Sequence, residues 1–68
     1  MRPLRSSNIA AAGYDDESRT LFVEFLSGSL YAYDGVPREV YDDLCGAPSP
    51  GRYFASRVTG VYTYRREA

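Results

Sequence analysis

"TLFVEFLSGSLYAY", residues 20–33, decides the fold. Thr, Phe, Val and Phe suit a pleated surface, and "LSGSL" interrupts them with turn residues before a second run resumes. Leu21, Val23 and Phe25 share one face of the first run by period two, and Phe22, Glu24 and Leu26 share the other. The pattern predicts a β-hairpin. Its register decides where Tyr31 and Tyr33 stand. A two-residue turn at Ser27–Gly28 pairs Tyr31 with Glu24 and Tyr33 with Phe22, and turns both rings away from Val23 and Phe25. A three-residue loop pairs Tyr31 with Phe25 and Tyr33 with Val23, and both rings then line the core. Gly28 accepts either turn. Burial demand favours the core: a 68-residue chain with few large aliphatics must recruit its aromatic rings. Tyr31 and Tyr33 are therefore expected to be mainly structural, with their hydroxyls at the rim. An exposed aromatic platform is the alternative.

Outward from the hairpin, "NIAAAGYDD" reads as a preceding strand that ends in a solvated turn at Asp15, Asp16, Glu17 and Ser18. After it, "VPREVYDDLCGAP" changes period. Pro37 suits a first helical turn, Val40 and Leu44 fall on one face, Gly46 suits a left-handed helix end, and Pro48 prevents continuation. A helix over about 37–45 follows. In "SPGRYFASRV", Ser49 is a good N-cap and Pro50 a good first residue, which predicts a second helix over about 50–58, stopped by Thr59–Gly60. The tail "VYTYRRE" alternates and fits an edge strand or an extended arm. The expected architecture is α+β: a single domain over residues 1–68, with a small three-stranded antiparallel sheet (β-β-β) packed by two short C-terminal helices. The tail offers a further edge strand.

Composition narrows the function. The chain has no histidine, so the usual general base near neutral pH is missing. Cys45 is placed at a helix C-terminus, where the dipole disfavours a thiolate, and reads as a small core residue. Asp15, Asp16 and Glu17 are adjacent acids in a turn, without the spacing of a calcium or zinc site. No phosphate-binding glycine motif is present. These features point away from an enzyme, a metal and a cofactor. One thiol cannot close an internal disulfide, which fits a reducing, cytoplasmic setting. No segment has the roughly 20 apolar residues of a membrane span.

All eight basic residues are arginine, and the net charge is −1. From Asp34 to Asp43 the chain carries four acids against Arg38, and from Arg52 to Glu67 four arginines against one acid. Arg52, Arg57, Arg65 and Arg66 interleave with Tyr53, Tyr62 and Tyr64, which supplies planes for bases and charges for phosphates. These seven residues are the candidate nucleic-acid-binding set, with the start of the second helix, Ser49 to Arg52, as an anion site where the tail arginines would converge. The bland reading is that the tyrosines pack the core rim and the arginines pair with the acidic helix. A protein-interaction module or accessory factor, using a sheet edge and the acidic face of Arg38 to Asp43, is the alternative function.

Taken in order, "SSNIAAAGYD", "YAY", "VPREVY", "SPGRYF" and "YTYRR" resemble the KTSC domain, over about residues 6–66. That short module occurs at the C-terminus of some lysyl-tRNA synthetases and alone in bacteria and their phages. The resemblance implies a small α+β domain without catalysis, and RNA binding through the synthetase link. It maps the family's tyrosine pair onto Tyr31 and Tyr33, and its Gly-Arg-Tyr-Phe run onto Gly51 to Phe54.

Overall fold

The computed structural model describes residues 1–68 and contains five strands and two helices: β1 (Arg2–Pro3), β2 (Ile9–Asp15), β3 (Thr20–Phe25), β4 (Leu30–Tyr33), α1 (Arg38–Gly46), α2 (Pro50–Arg57) and β5 (Tyr64–Arg66). The strands form one antiparallel sheet in chain order, with both helices inserted between β4 and β5. The α+β class and the two helices are as expected, but the sheet has five strands where three were expected. The tail strand is real. β1 is a two-residue edge containing a proline, too short and too irregular to leave a period in the sequence.

The hairpin adopts neither register weighed from the sequence. Val23 pairs with Tyr31 and Leu21 with Tyr33. Phe25 N–H donates to Ser29 O at 2.9 Å, and Gly28 N–H donates to Phe25 O at 2.8 Å. The loop is thus Leu26-Ser27-Gly28, three residues long but one position earlier than expected. Gly28 has φ +97°, a region costly for a residue with a Cβ, and this glycine sets where the loop closes. Because the shift is by whole pairs, both tyrosines keep the face of Val23 and Phe25.

That face carries the core. Ile9, Ala12, Leu21, Val23, Tyr33, Val36, Leu44, Phe54 and Val58 form one buried cluster between the sheet and the helices. Ile9 and Ala12 are three apart and break period two, yet both are fully buried. The register slips between Ile9 and Ala11, and this bulge restores the inward face. The opposite face of the sheet has no helix over it. There Ala32 is fully buried, Phe22 and Leu30 are half-buried, and Glu24 is exposed. No helix is long and apolar enough to cross a membrane.

Helix ends depart from expectation in two places. Pro37 is the N-cap of α1, with extended backbone, and lies outside the first turn. Gly46 belongs to α1 and has no positive φ; the helix stops because Ala47 precedes Pro48 and is held extended, at φ −69° and ψ 139°. Ser49 occupies the N-cap of α2, but its side chain makes no capping bond. Cys45 is half-buried at the margin, beside Arg2 and Arg5, and is not a core residue.

The β2–α1 junction is tied by side chains. The Tyr14 hydroxyl donates to the Val36 carbonyl. Tyr14 and Tyr41 stack at 5.6 Å and 19°, and the Arg38 guanidinium lies 5.7 and 5.5 Å from the two ring centroids. Arg38 also pairs with Asp16 at 2.6 Å and Asp42 at 3.3 Å. The acidic turn is accounted for in the same way: Asp15 accepts from Glu17 N–H at 3.1 Å and from the Ser18 hydroxyl at 2.9 Å.

Gly51 is fixed by contact. A Cβ there would fall 2.9 Å from Asn8 Oδ1 and 3.3 Å from Ser6 Oγ. Those two groups are locked together, since Ser6 Oγ donates to Asn8 Oδ1 at 2.8 Å and accepts from the N–H groups of Asn8 and Ile9, each at 3.2 Å. A helical glycine replaced by alanine ordinarily gains up to about 1 kcal/mol. Here Gly51→Ala is expected to lose about 1 kcal/mol, because crowding displaces a bonded side chain. In an Asn8→Ala background the same change should become neutral or favourable. Urea melts of the four variants check this, and a stabilised single Gly51→Ala would refute the contact argument.

Candidate ligand-binding groove

Five aromatic rings meet where β4, β5 and α2 come together. Phe54 contacts Phe25 at 5.7 Å and Tyr33 at 5.4 Å, both edge to face. Phe25 meets Tyr31 edge to face at 5.7 Å. Tyr64 leans over both strand tyrosines, 5.5 Å from Tyr31 and 5.6 Å from Tyr33, with tilts of 45° and 39°. Strand register explains the cluster, because Tyr33 pairs with Tyr64 and Tyr31 with Arg66 across β4 and β5. Burial falls outward across it: Tyr33 is 6% exposed, Tyr31 is half-buried and Tyr64 is 62% exposed.

An open cleft of about 370 Å³ follows the rings. Phe25, Tyr31, Tyr33 and Tyr64 form its apolar wall, and Ser27, Ser29, Thr59 and Gly60 form its rim. None of these carries a charge. No buried side-chain nitrogen or oxygen lacks a partner, so the Tyr33 hydroxyl, which bonds no other group, reaches solvent at the rim. Burial first, then the neighbouring Tyr31 and Tyr64, push the Tyr33 phenol above its ordinary pKa. The chemistry available is contact with flat or apolar groups along the rings, and hydrogen bonds to hydroxyls at the edge.

The seven residues singled out in the sequence do not form one surface. Tyr64 lines the groove, and Arg66, outside its lining, shares the sheet face of Tyr31 and Tyr33. Arg66 pairs with no Asp or Glu side chain, and its Nε donates to the Ala68 main-chain oxygen at 3.2 Å. Arg65 pairs with Ala32 and so points to the other side of the sheet, where it binds Asp34 at 2.6 Å and Glu67 at 3.4 Å. Tyr53, Arg57 and Tyr62 group together beside α2. Burial and then Asp43 raise the Tyr53 phenol there, while Arg57 pulls it down. Arg52 is exposed on the first turn of α2, and Ser6 and Asn8, not the tail, lie against that turn. Among the arginines that pair with acids, Arg38 alone binds the acidic helix. The sequence gives the rim residues Ser27 and Ser29 only a turn role and Thr59 and Gly60 only a helix stop. Their signal was the hairpin parity, which places Ser29 beside Tyr31 and Phe25 on one face.

Comparison with known proteins follows the same outline. The family model of the KTSC domain matches residues 5–62. A protein of Tsukamurella paurometabola is 49% identical over 68 residues, covering 100% of this chain and 96% of its own. A lysine–tRNA ligase of Nostoc sp. is 42% identical over 60 residues, which is 88% of this chain but 11% of the ligase. The crystal structure of a KTSC domain protein from Yersinia pestis superposes with a TM-score of 0.94 at 33% identity, covering 98% of this chain and 94% of that one.

Tyr33 joins groove to core, so its variants report on both. Tyr33→Ala is expected to cost about 3–5 kcal/mol in denaturant melts, as for a large buried ring, and Tyr33→Phe should cost less than about 1 kcal/mol. A phenol whose folded pKa is raised holds its proton more tightly when folded. Stability is therefore fully present below the unfolded value near 10, and is lost as pH rises from there through the folded value. Tyr33→Phe should flatten that alkaline loss. An unchanged alkaline slope in this variant would show that Tyr33 is not a source of it.

Proposed function

This chain belongs to the KTSC domain family, and we propose that it is a noncatalytic module that binds single-stranded RNA weakly through the aromatic groove. The observation that carries this reading is an open tyrosine ring, Tyr64, that walls an uncharged groove and shares its sheet face with an arginine, Arg66, engaged by no Asp or Glu side chain. Aromatic rings accept any base, each stacked base contributing about 1–3 kcal/mol, and a nearby guanidinium takes a phosphate. Proteins named as lysine–tRNA ligases contain a segment similar to 78–88% of this chain, which supports an RNA ligand.

Electrostatics limits the affinity. Arg65 is engaged by Asp34 and Glu67 on the other face, and the net charge is −1, so long-range attraction to a polyanion is small. One or two phosphate contacts give a log–log salt slope of about −0.7 to −1.4. Anisotropy titration of fluorescein-labelled single-stranded RNA at low salt should show micromolar binding with such a slope. Arg66→Ala should lower the slope by about 0.7. No binding at high micromolar protein, or a slope that Arg66→Ala leaves intact, overturns the reading. In that event a protein recovered in stoichiometric amount after nuclease treatment would put the interaction-module reading in its place.

A further inference from the structure

The groove does not end at Tyr64. A second open depression, of about 380 Å³, lies along Gly60, Val61, Tyr62, Thr63 and Tyr64. It shares Gly60 and Tyr64 with the first cleft. The Tyr64 ring is thus a common wall, with Tyr31, Phe25 and the two serines on one flank and Val61, Tyr62 and Thr63 on the other. Both depressions are of small-ligand size. Neither is lined by a charged residue, although a quarter of the chain is charged.

Resting on the RNA reading above, we propose that the groove is a two-subsite site astride Tyr64, and that its unit ligand is a dinucleotide step of single-stranded RNA, one base in each depression. Charge placement favours this occupant. The two acids that pair with β5, Asp34 and Glu67, are both held by Arg65 on the far face. Arg66 is the cation on the groove face, opposite Tyr31. One internucleotide phosphate beside one arginine, with two uncharged base sites, matches that arrangement.

The experiment compares adenylyl-adenosine with adenosine 5′-monophosphate by amide chemical-shift titration of the full chain. Each probe carries one phosphate, and the monophosphate is the more highly charged, so tighter dinucleotide binding cannot come from charge. The dinucleotide is expected to bind about 5- to 150-fold more tightly, the worth of one further stacked base. It should shift the amides of Ser27 and Ser29 together with those of Val61 and Thr63, and the monophosphate should shift one flank only. Tyr64→Phe should keep the dinucleotide advantage and Tyr64→Leu should abolish it; leucine retains apolar cover on the ring cluster, and the spectrum itself reports folding. If a longer single-stranded RNA binds but the two probes bind equally, or the dinucleotide shifts one flank alone, the two-subsite inference fails and the RNA reading stands. If no nucleotide probe of any length binds, both fail. A decaproline peptide that shifts both flanks while the nucleotides do not would overturn the nucleic-acid assignment of the groove.

Discussion

The pairing of Val23 with Tyr31, set by a loop that closes at Gly28, is the constraint on which the other contacts depend. A side chain in a strand has two faces available, so a slip of one residue would carry Tyr31 and Tyr33 to the uncovered side of the sheet together. Phe54 would then lose the Tyr33 edge contact, and Tyr64 would find no rings to lean on. Nothing within 4 Å of Gly28 blocks a side chain. Its positive φ alone makes the position selective, and so a backbone torsion in an exposed loop governs the composition of the core.

The same alternation sorts charge. Consecutive arginines on β5 necessarily face opposite ways, which gives Arg65 to Asp34 and Glu67 and leaves Arg66 on the face of Tyr31. Reading the tail as one basic surface ignores this geometry. The Arg65 and Arg38 pairs are solvent-exposed, and such pairs contribute about 0–1 kcal/mol each. Their effect is on where free positive charge remains, more than on how stable the domain is.

Much of the fold was legible in the sequence, because period two over residues 20–33 and two Pro-Gly punctuated helical runs are strong local signals. What stayed illegible depended on contacts remote in sequence or on single torsions. The exact hairpin register needed Gly28's φ. The bulge at Ala10 needed Phe25 opposite Ile9, and no residue near Ala10 announces it. Gly46 looked like a helix terminator by its residue type, but Pro48 had already fixed Ala47 as the stop. For the groove, the sequence marked Tyr64 and Arg66 by composition and gave no sign that Arg65 would leave them. Thr59 and Gly60, carried to the rim by the end of α2, were visible only as a helix stop.

A domain this small has few residues to divide between core and site. The ring cluster serves as both, grading from Tyr33 at 6% exposure to Tyr64 at 62% without a boundary. Two consequences follow from that continuity. The groove wall is packed where it is buried, since Tyr33 and Phe25 each meet Phe54 edge to face, and a ligand proposed there would meet rings already in place. The outer wall is the opposite: β5 is three residues long, lies at the edge of the sheet and follows the longest excursion of the chain away from it. Anything that bridges Tyr31 and Tyr64 therefore also fastens β5 to β4. Under the proposed reading, binding and closure of the sheet would be linked, and the apparent stability of the fold would rise with ligand by mass action.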